Sequence, residues 1–251
     1  MTQPKVTVMM PVLNTHGPWL NVAIRCITEQ TYPNLDLIIG DDGSTKSTTL
    51  EIEKQAEEKW PDKVRVVRGS GEPGGSAKGV DACLAHADPD TKYFMRADSD
   101  DIYHRSRVQN IVKLFETLPP QVAIVYDNFY YLYYAPRPHI VPYTIWPYDY
   151  RRFLDECYIA TCSVYRASVY EKIPRTYIYD GYYGKCNRHS EDYWHWLAIT
   201  DYWDAYWMNQ DPAFTWTYRF QANSKYNKDR KGVDYARAFV QYAAKERRGL
   251  L

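Results

Sequence analysis

The chain has 251 residues, 45% of them hydrophobic, which is enough for one sizeable core and too much for a peptide-like module. Lysine plus arginine and aspartate plus glutamate each total 31, so no net field draws the chain onto nucleic acid, which is not an expected partner. Five cysteines (Cys26, Cys83, Cys157, Cys162 and Cys186) form no CxxC pair and argue against a disulfide framework or a zinc site. With no signal-peptide core and no run of membrane-spanning length, the expectation is a soluble, cytoplasmic protein.

In chain order, Lys5-Val6-Thr7-Val8-Met9-Met10 reads as a buried strand ended by Pro11 and followed by a loop, Asn14-Thr15-His16-Gly17-Pro18. Leu20, Ala23, Ile24 and Ile27 recur at helical spacing, and Thr31-Tyr32-Pro33-Asn34 breaks the chain before a second strand from Leu35 to Ile39. Gly40-Asp41-Asp42-Gly43-Ser44-Thr45 closes that strand. A helix from Thr48 to Trp60, a strand from Val64 to Val67, a glycine-rich stretch from Gly69 to Gly75 and a helix from Ser76 to about Ala87 follow. The next strand, Tyr93-Phe94-Met95-Arg96, runs into Asp98-Ser99-Asp100-Asp101, and Val108, Ile111, Val112 and Phe115 carry another helix.

This alternation predicts an α/β fold with a mostly parallel sheet, whose ligands bind beyond the carboxyl ends of the strands. Asp41 and Asp42 after strand two, and Asp98 and Asp100 after strand four, reach that edge and can line one cleft. Carboxylates packed this closely repel one another unless a hard divalent cation relieves them, so the second loop is a metal-site candidate. The bland alternative places Asp100 and Asp101 at a helix N-terminus, where acids favour the macrodipole. The glycine-rich stretch lacks Gly-Lys-Ser/Thr and does not sit at the first strand–helix turn, which disfavours P-loop and dinucleotide chemistry.

Four stretches resemble the nucleotide-sugar-dependent family-2 glycosyltransferases of GT-A fold. Val8 to Asn14 is similar to that family's opening strand. Glu29 to Leu35 with Asp41-Asp42-Gly43-Ser44-Thr45 is similar to its nucleotide-binding segment, Asp98-Ser99-Asp100-Asp101 to its DxD metal motif, and Ser190-Glu191-Asp192-Tyr193-Trp194 to the pair that carries its catalytic base. Cys162 to Arg166 and Glu171-Lys172-Ile173 resemble, more loosely, the spore-coat polysaccharide glycosyltransferase branch. The resemblance implies a GT-A fold, a Rossmann-like sheet flanked by helices with a smaller mixed acceptor-side region. It also implies a nucleoside-diphosphate sugar as donor, with UDP the expected carrier.

The implied site follows residue by residue. Pro11, Val12, Leu13, Asn14, Asp41, Asp42, Lys78, Ser99 and Arg219 would face the donor, Asp98 and Asp100 would hold Mn2+ or Mg2+, and Asp192 with Glu191 beside it would deprotonate an acceptor hydroxyl in an inverting displacement. Departures from the pattern are Leu13 in place of an aromatic, Lys46 in place of an acid, and Gln221 in place of a histidine that can add a metal contact. By itself, Glu191-Asp192 also reads as the acidic first turn of a helix continued by Trp194, Leu197 and Ala198. The six histidines show no paired metal spacing, and His189 is worth watching only because it is near Glu191.

Tyr126, Tyr130, Tyr131, Tyr133, Tyr134, Tyr143, Trp146, Tyr148 and Tyr150 crowd one stretch, suited to an acceptor glycan, a homodimer interface or plain core. Prolines at 136, 138, 142 and 147 make 135–150 loop-like. The expected organisation is a single domain over 1–231, with a donor half (about 1–118) and an acceptor half (119–231), then a basic helix over 232–251 that docks on the domain or touches an anionic membrane. Two competing functions remain: a sugar-phosphate nucleotidyltransferase, which needs a glycine-rich basic loop after strand one that Pro11 to Thr15 does not supply, and a non-catalytic sugar-nucleotide- or glycan-binding relative, which would not need Asp192.

Overall fold

The computed structural model describes residues 3–69, 74–177, 190–209, 214–221 and 229–250; His189, Cys186 and most of the glycine-rich stretch lie outside them. The first strands are β1 (Lys5–Val12), β2 (Leu35–Asp41), β3 (Val64–Arg68) and β4 (Thr91–Arg96). They pair in parallel in the order β3-β2-β1-β4, with Val12 opposite Asp41 and Met9 opposite Arg96. Val6, Val8, Met9, Leu37, Ile38 and Met95 are buried, the near-continuous apolar runs expected of strands covered on both faces.

The connecting helices are α1 (Gly17–Thr28), α2 (Ser47–Lys59) and α3 (Ser76–His86). Two boundaries differ from the sequence reading. Pro11 does not end β1, because an imino residue at the end of a strand costs no essential ladder bond, and Gly17-Pro18 opens α1, since proline fits a helix's first turn, where the amide has no partner. α3 lies very close to the sheet. A Cβ added to Gly40 would sit 2.1 Å from the Gly79 carbonyl oxygen, so glycine at both positions permits the approach that seats α3 beside the β1 and β2 ends.

The second half extends the sheet with β5 (Ile102–Tyr103), β6 (Val122–Tyr133), β7 (His139–Tyr143), β8 (Val164–Arg166), β9 (Asp204–Met208) and β10 (Phe214–Arg219). β8 pairs antiparallel with both β4 and β6, while the long β6 carries β9 and β10 in parallel and β7 as an antiparallel edge. The segment 135–150 is thus not simply a loop: β7 forms within it, with Pro142 on an edge strand where a missing donor is tolerated. α4 (Arg107–Phe115) starts several residues after Asp101, so Asp100 and Asp101 are not its first turn, and their clustering needs another explanation.

The remaining helices are α5 (Tyr150–Asp155), α6 (Glu191–Thr200) and α7 (Arg230–Arg247). Asp149 caps α5 by accepting from the Arg152 amide, and Asp229 caps α7 by accepting from the Gly232 amide. α7 buries Val233, Ala236, Val240, Ala243 and Ala244. Much of its basic character is already used in docking: Lys245 pairs with Asp155, and Arg247 and Arg248 pair with Asp201. No helix among the described residues is long and apolar enough to cross a membrane.

Candidate active site

At the carboxyl edge of β1 and β2, Asn14 takes a left-handed conformation (φ 53°), which asparagine tolerates, and aims its side-chain oxygen at the amides of Thr45 and Lys46, both 2.8 Å away. Its own amide donates to Ser44 Oγ at 2.9 Å. This staples the turn after β1 to the turn after β2. Asp41 is buried and accepts from the Ser44 amide (2.8 Å) and from Arg68 Nη1 (2.6 Å). Arg68 also reaches Glu53, fully buried on α2, whose carboxyl is pushed up to about 7 by burial and by Asp41.

Asp42 holds the other side of this pocket. Its two oxygens accept from the amides of Gly74 (3.1 Å) and Gly75 (2.6 Å), drawing the start of α3 over the β2 end. The stem of Lys78 packs against Gly74, close enough that a Cβ there would clash. Asp41, Asp42, Asn14 and Lys78 therefore gather at one rim, with Val12 buried beneath and Leu13 half exposed at the surface.

The acidic loop after β4 is tied to this rim through Ser99, whose hydroxyl lies 2.7 Å from Thr15 Oγ1. Its three carboxylates have different surroundings. Asp98 is partly exposed and accepts from Arg96 Nε at 3.3 Å. Asp100 accepts from Gln221 Nε2, and its carboxyl is pushed up to about 6 by burial and by the Asp98 charge. Asp101 is fully buried and accepts from the Arg219 amide at 2.9 Å; burial, then Asp100 and Asp98, raise its pKa well above the usual range. Asp101 thereby fastens β10 to the acidic loop.

Whether this loop suits a cation turns on its donors. Asp98, Asp101 and Cys162 offer ligand atoms within 4.8 Å of one another. Burial, followed by the charges of Asp98 and Asp101, keeps the Cys162 thiol protonated and hence a poor ligand for a hard ion. Asp101 is committed to the β10 backbone. That leaves the carboxylates of Asp98 and Asp100, hard oxygen donors two residues apart on the acidic loop, and such donors fit a hard divalent cation.

Arg219 is 7% exposed; its Nη1 donates to Tyr134 Oη, its guanidinium lies 5.8 Å from the Trp19 ring, and its buried Nε has no hydrogen-bond partner among the described residues. Gln221, three residues after Tyr218 on β10, brings an amide to Asp100 where the resembled family has an imidazole.

The Glu191-Asp192 pair opens α6, so the acidic first turn is real and the dipole favours it. The same turn gives each acid its own partner. Glu191 Oε1 accepts from Arg96 Nη1 at 3.2 Å, and Asp192 accepts from Thr161 Oγ1 and, at 2.8 Å, from the Tyr193 amide. Arg96 is the residue sequence reasoning missed. Burial opposes its charge, but Asp98, Glu191 and Asp192 outweigh that and raise its pKa. One buried guanidinium thus joins the acidic loop to the helix that opens with Glu191 and Asp192. The available signal was a lone charge ending an otherwise apolar strand.

A curled, mostly parallel sheet flanked by helices, with acidic loops gathered at its carboxyl edge, defines a GT-A glycosyltransferase architecture. It is shared by the mannosyltransferase PcManGT of Pyrobaculum calidifontis, solved with GDP-Man and Mn2+ (TM-score 0.66, 16% identity, 98% of this chain and 65% of that one), and by S. aureus TarS 1–349, solved with UDP (TM-score 0.61, 14% identity, 94% and 65%).

The glycosyl transferase family 2 model matches residues 7–174, and the chain belongs to that family. The protein EpsE of Bacillus subtilis, a glycosyltransferase by name, is 34% identical over 113 residues (45% of this chain, 39% of EpsE), and glycosyltransferase GlyG of Streptococcus pneumoniae is 29% identical over 126 residues (50% and 39%). The chain thus spans about two fifths of the length of these curated relatives.

Proposed function

We propose that the protein moves a sugar from a nucleoside-diphosphate donor, UDP-linked, to an acceptor hydroxyl with inversion at the anomeric carbon, and that a divalent cation is required. The single observation that carries this reading is the Asp98–Arg96–Glu191 bridge, which ties the acidic loop to the turn that bears Asp192. Asp98 and Asp100 would hold Mn2+ or Mg2+, which when bound supplies positive charge against the departing diphosphate.

The chain's own groups do the rest. Asp42 would exchange its bonds to the Gly74 and Gly75 amides for the base or ribose of the donor, while Asn14, Pro11, Val12 and Leu13 shape the pocket floor. Lys78 and Arg219 would offer cations to the phosphates, and the Arg219 Nε, which has no partner among the described residues, suits that task. Asp192, oriented by Thr161 and the Tyr193 amide, would accept the acceptor's proton as the oxygen attacks, with Glu191 locked on Arg96 as its neighbour.

Calorimetry tests the donor half. UDP binding should weaken sharply on chelation and in Asp100→Ala, and also in Asp42→Ala. Unchanged affinity after chelation and in Asp100→Ala overturns the cation assignment; unchanged affinity in Asp42→Ala overturns the nucleoside pocket.

A further inference from the structure

Asp192 opens into a groove of about 480 Å3 on the acceptor side, within the size range of ligand sites. Part of it, from Asp192 to Gln241, is built from outside the segment matched by the family model. One wall is an aromatic surface across three strands: Tyr143 of β7, Tyr131 of β6 and Tyr218 of β10, with Phe220 just beyond, over a floor of Phe129 and Trp216 stacked 4.5 Å apart. The rings are mutually braced. Tyr131 meets Tyr143 edge-on at 5.3 Å and Tyr218 edge-on at 5.6 Å, so these platforms are held at fixed angles before any ligand arrives.

The rest of the lining sets polar groups, some of them on α7, beside the stretch from Cys157 to Ala160. Asp155 ends α5 and Glu156 follows it, Arg237 and Gln241 belong to α7, and Thr161 and Asp192 complete the lining. α7 is fixed there by the Gln241 bond to the Asp155 carbonyl (2.6 Å) and the Lys245–Asp155 ion pair (2.5 Å). A lipid chain would match the ring wall but lay hydrocarbon against two carboxylates and a guanidinium, desolvating charge without return. A saccharide matches both kinds of lining, with C–H faces on the rings and hydroxyls on the carboxylate, amide and guanidinium groups. The groove is also longer than one sugar ring needs, since its aromatic platforms lie on three adjacent strands.

We propose that this groove binds a saccharide chain of more than one ring as the acceptor, its terminal sugar at Asp192 and its preceding sugars between the Tyr131–Tyr143–Tyr218 wall and α7. This rests on the transferase reading above and adds the acceptor class and the residues that select it. Tyr218 and Tyr143 are stacking residues, and Arg237 and Gln241 are hydroxyl-binding residues.

The test is calorimetry on the full chain with cellotetraose and chitotetraose, against glucose, N-acetylglucosamine and farnesyl phosphate. The expected result is that at least one tetrasaccharide binds ten-fold or more tighter than its monosaccharide. Tyr218→Ala should weaken it about ten-fold while Tyr218→Phe, which keeps the ring, retains it; Arg237→Ala should weaken it several-fold. The proposal is overturned if neither tetrasaccharide gains over its monosaccharide, if Tyr218→Ala and Tyr143→Ala bind as tightly as wild type, or if farnesyl phosphate binds in competition and the saccharides do not. Release of nucleoside diphosphate from a nucleotide sugar by the wild-type chain is read separately. Release without saccharide binding sinks the groove alone, and saccharide binding dependent on Tyr218 without any release upholds the groove and sinks the transferase reading.

Discussion

Replacing Arg96 by leucine should damage both stability and turnover, and the two effects can be separated. Arg96 is 4% exposed, and its guanidinium is the cation that Asp98 and Glu191 share, at 3.3 and 3.2 Å. Breaking a buried pair by removing one partner costs about 3–5 kcal/mol. Both bonds are long and Asp98 is partly exposed, so the low end, about 3 kcal/mol, is expected. In a chain of this size that corresponds to a fall in Tm of about 6–12 °C, measured by thermal unfolding without metal or nucleotide. Arg96→Lys keeps the charge but has no fork to reach both carboxylates, so it should recover part of the stability and little of the turnover. A double-mutant cycle with Glu191→Gln should show coupling of at least about 0.5 kcal/mol. The bridge has no mechanical role if Arg96→Leu lies within about 1 kcal/mol of wild type, or if Arg96→Lys restores full turnover.

Asp192→Asn should reduce transfer by ~10²–10⁴ with UDP affinity unchanged, and near-normal turnover would refute its role as base. Glu53 should make stability depend on pH: its folded pKa of about 7 stands above the ordinary 4.5, so the folded state keeps a proton that the unfolded state has released, and stability falls as pH rises through that window. Glu53→Gln should flatten the fall in chemical unfolding measured between pH 5 and 8, and an unchanged slope would contradict the assignment. Removing residues 232–251 should lower Tm, because it deletes the apolar face of α7 and the Asp155 and Asp201 pairs; an unaltered Tm would mean that the helix does not dock.

The first half of the fold was readable because its signals are local. Strands such as Val6 to Met10 are apolar runs bounded by turn formers, and Asp41-Asp42-Gly43 and Asp98-Ser99-Asp100 are short motifs whose spacing survives without tertiary context. What escaped was long-range pairing. Arg96 meets Glu191 across 95 positions and Asp101 meets the Arg219 amide across 118, and neither partner's sequence neighbourhood announces the other. The tyrosine-rich stretch escaped for a different reason. Composition marks it as aromatic without saying which rings face solvent, and the fold buries Tyr126 in the core while turning Tyr131 and Tyr143 to the groove. The β10 and α7 contributions to that groove come from much further along the chain.

Each acid at the cleft already has a protein partner: Asp42 the Gly74 and Gly75 amides, Asp98 the Arg96 guanidinium, Asp100 the Gln221 amide, Asp192 the Thr161 hydroxyl. A buried carboxylate without such partners would cost several kcal/mol, so the ligand-free fold depends on them. Donor binding in the proposed mode is therefore an exchange of bonds, and its net strength is the difference between what a cation and nucleotide offer and what the chain gives up. The partners are unequal. A neutral amide on Asp100 is surrendered cheaply to a divalent ion, whereas Arg96 on Asp98 is a charged contact that also holds Glu191. Cation entry should then favour Asp100 and draw Asp98 only as far as Arg96 allows, which makes Arg96 the residue through which occupancy of the donor site is felt at the turn carrying Asp192.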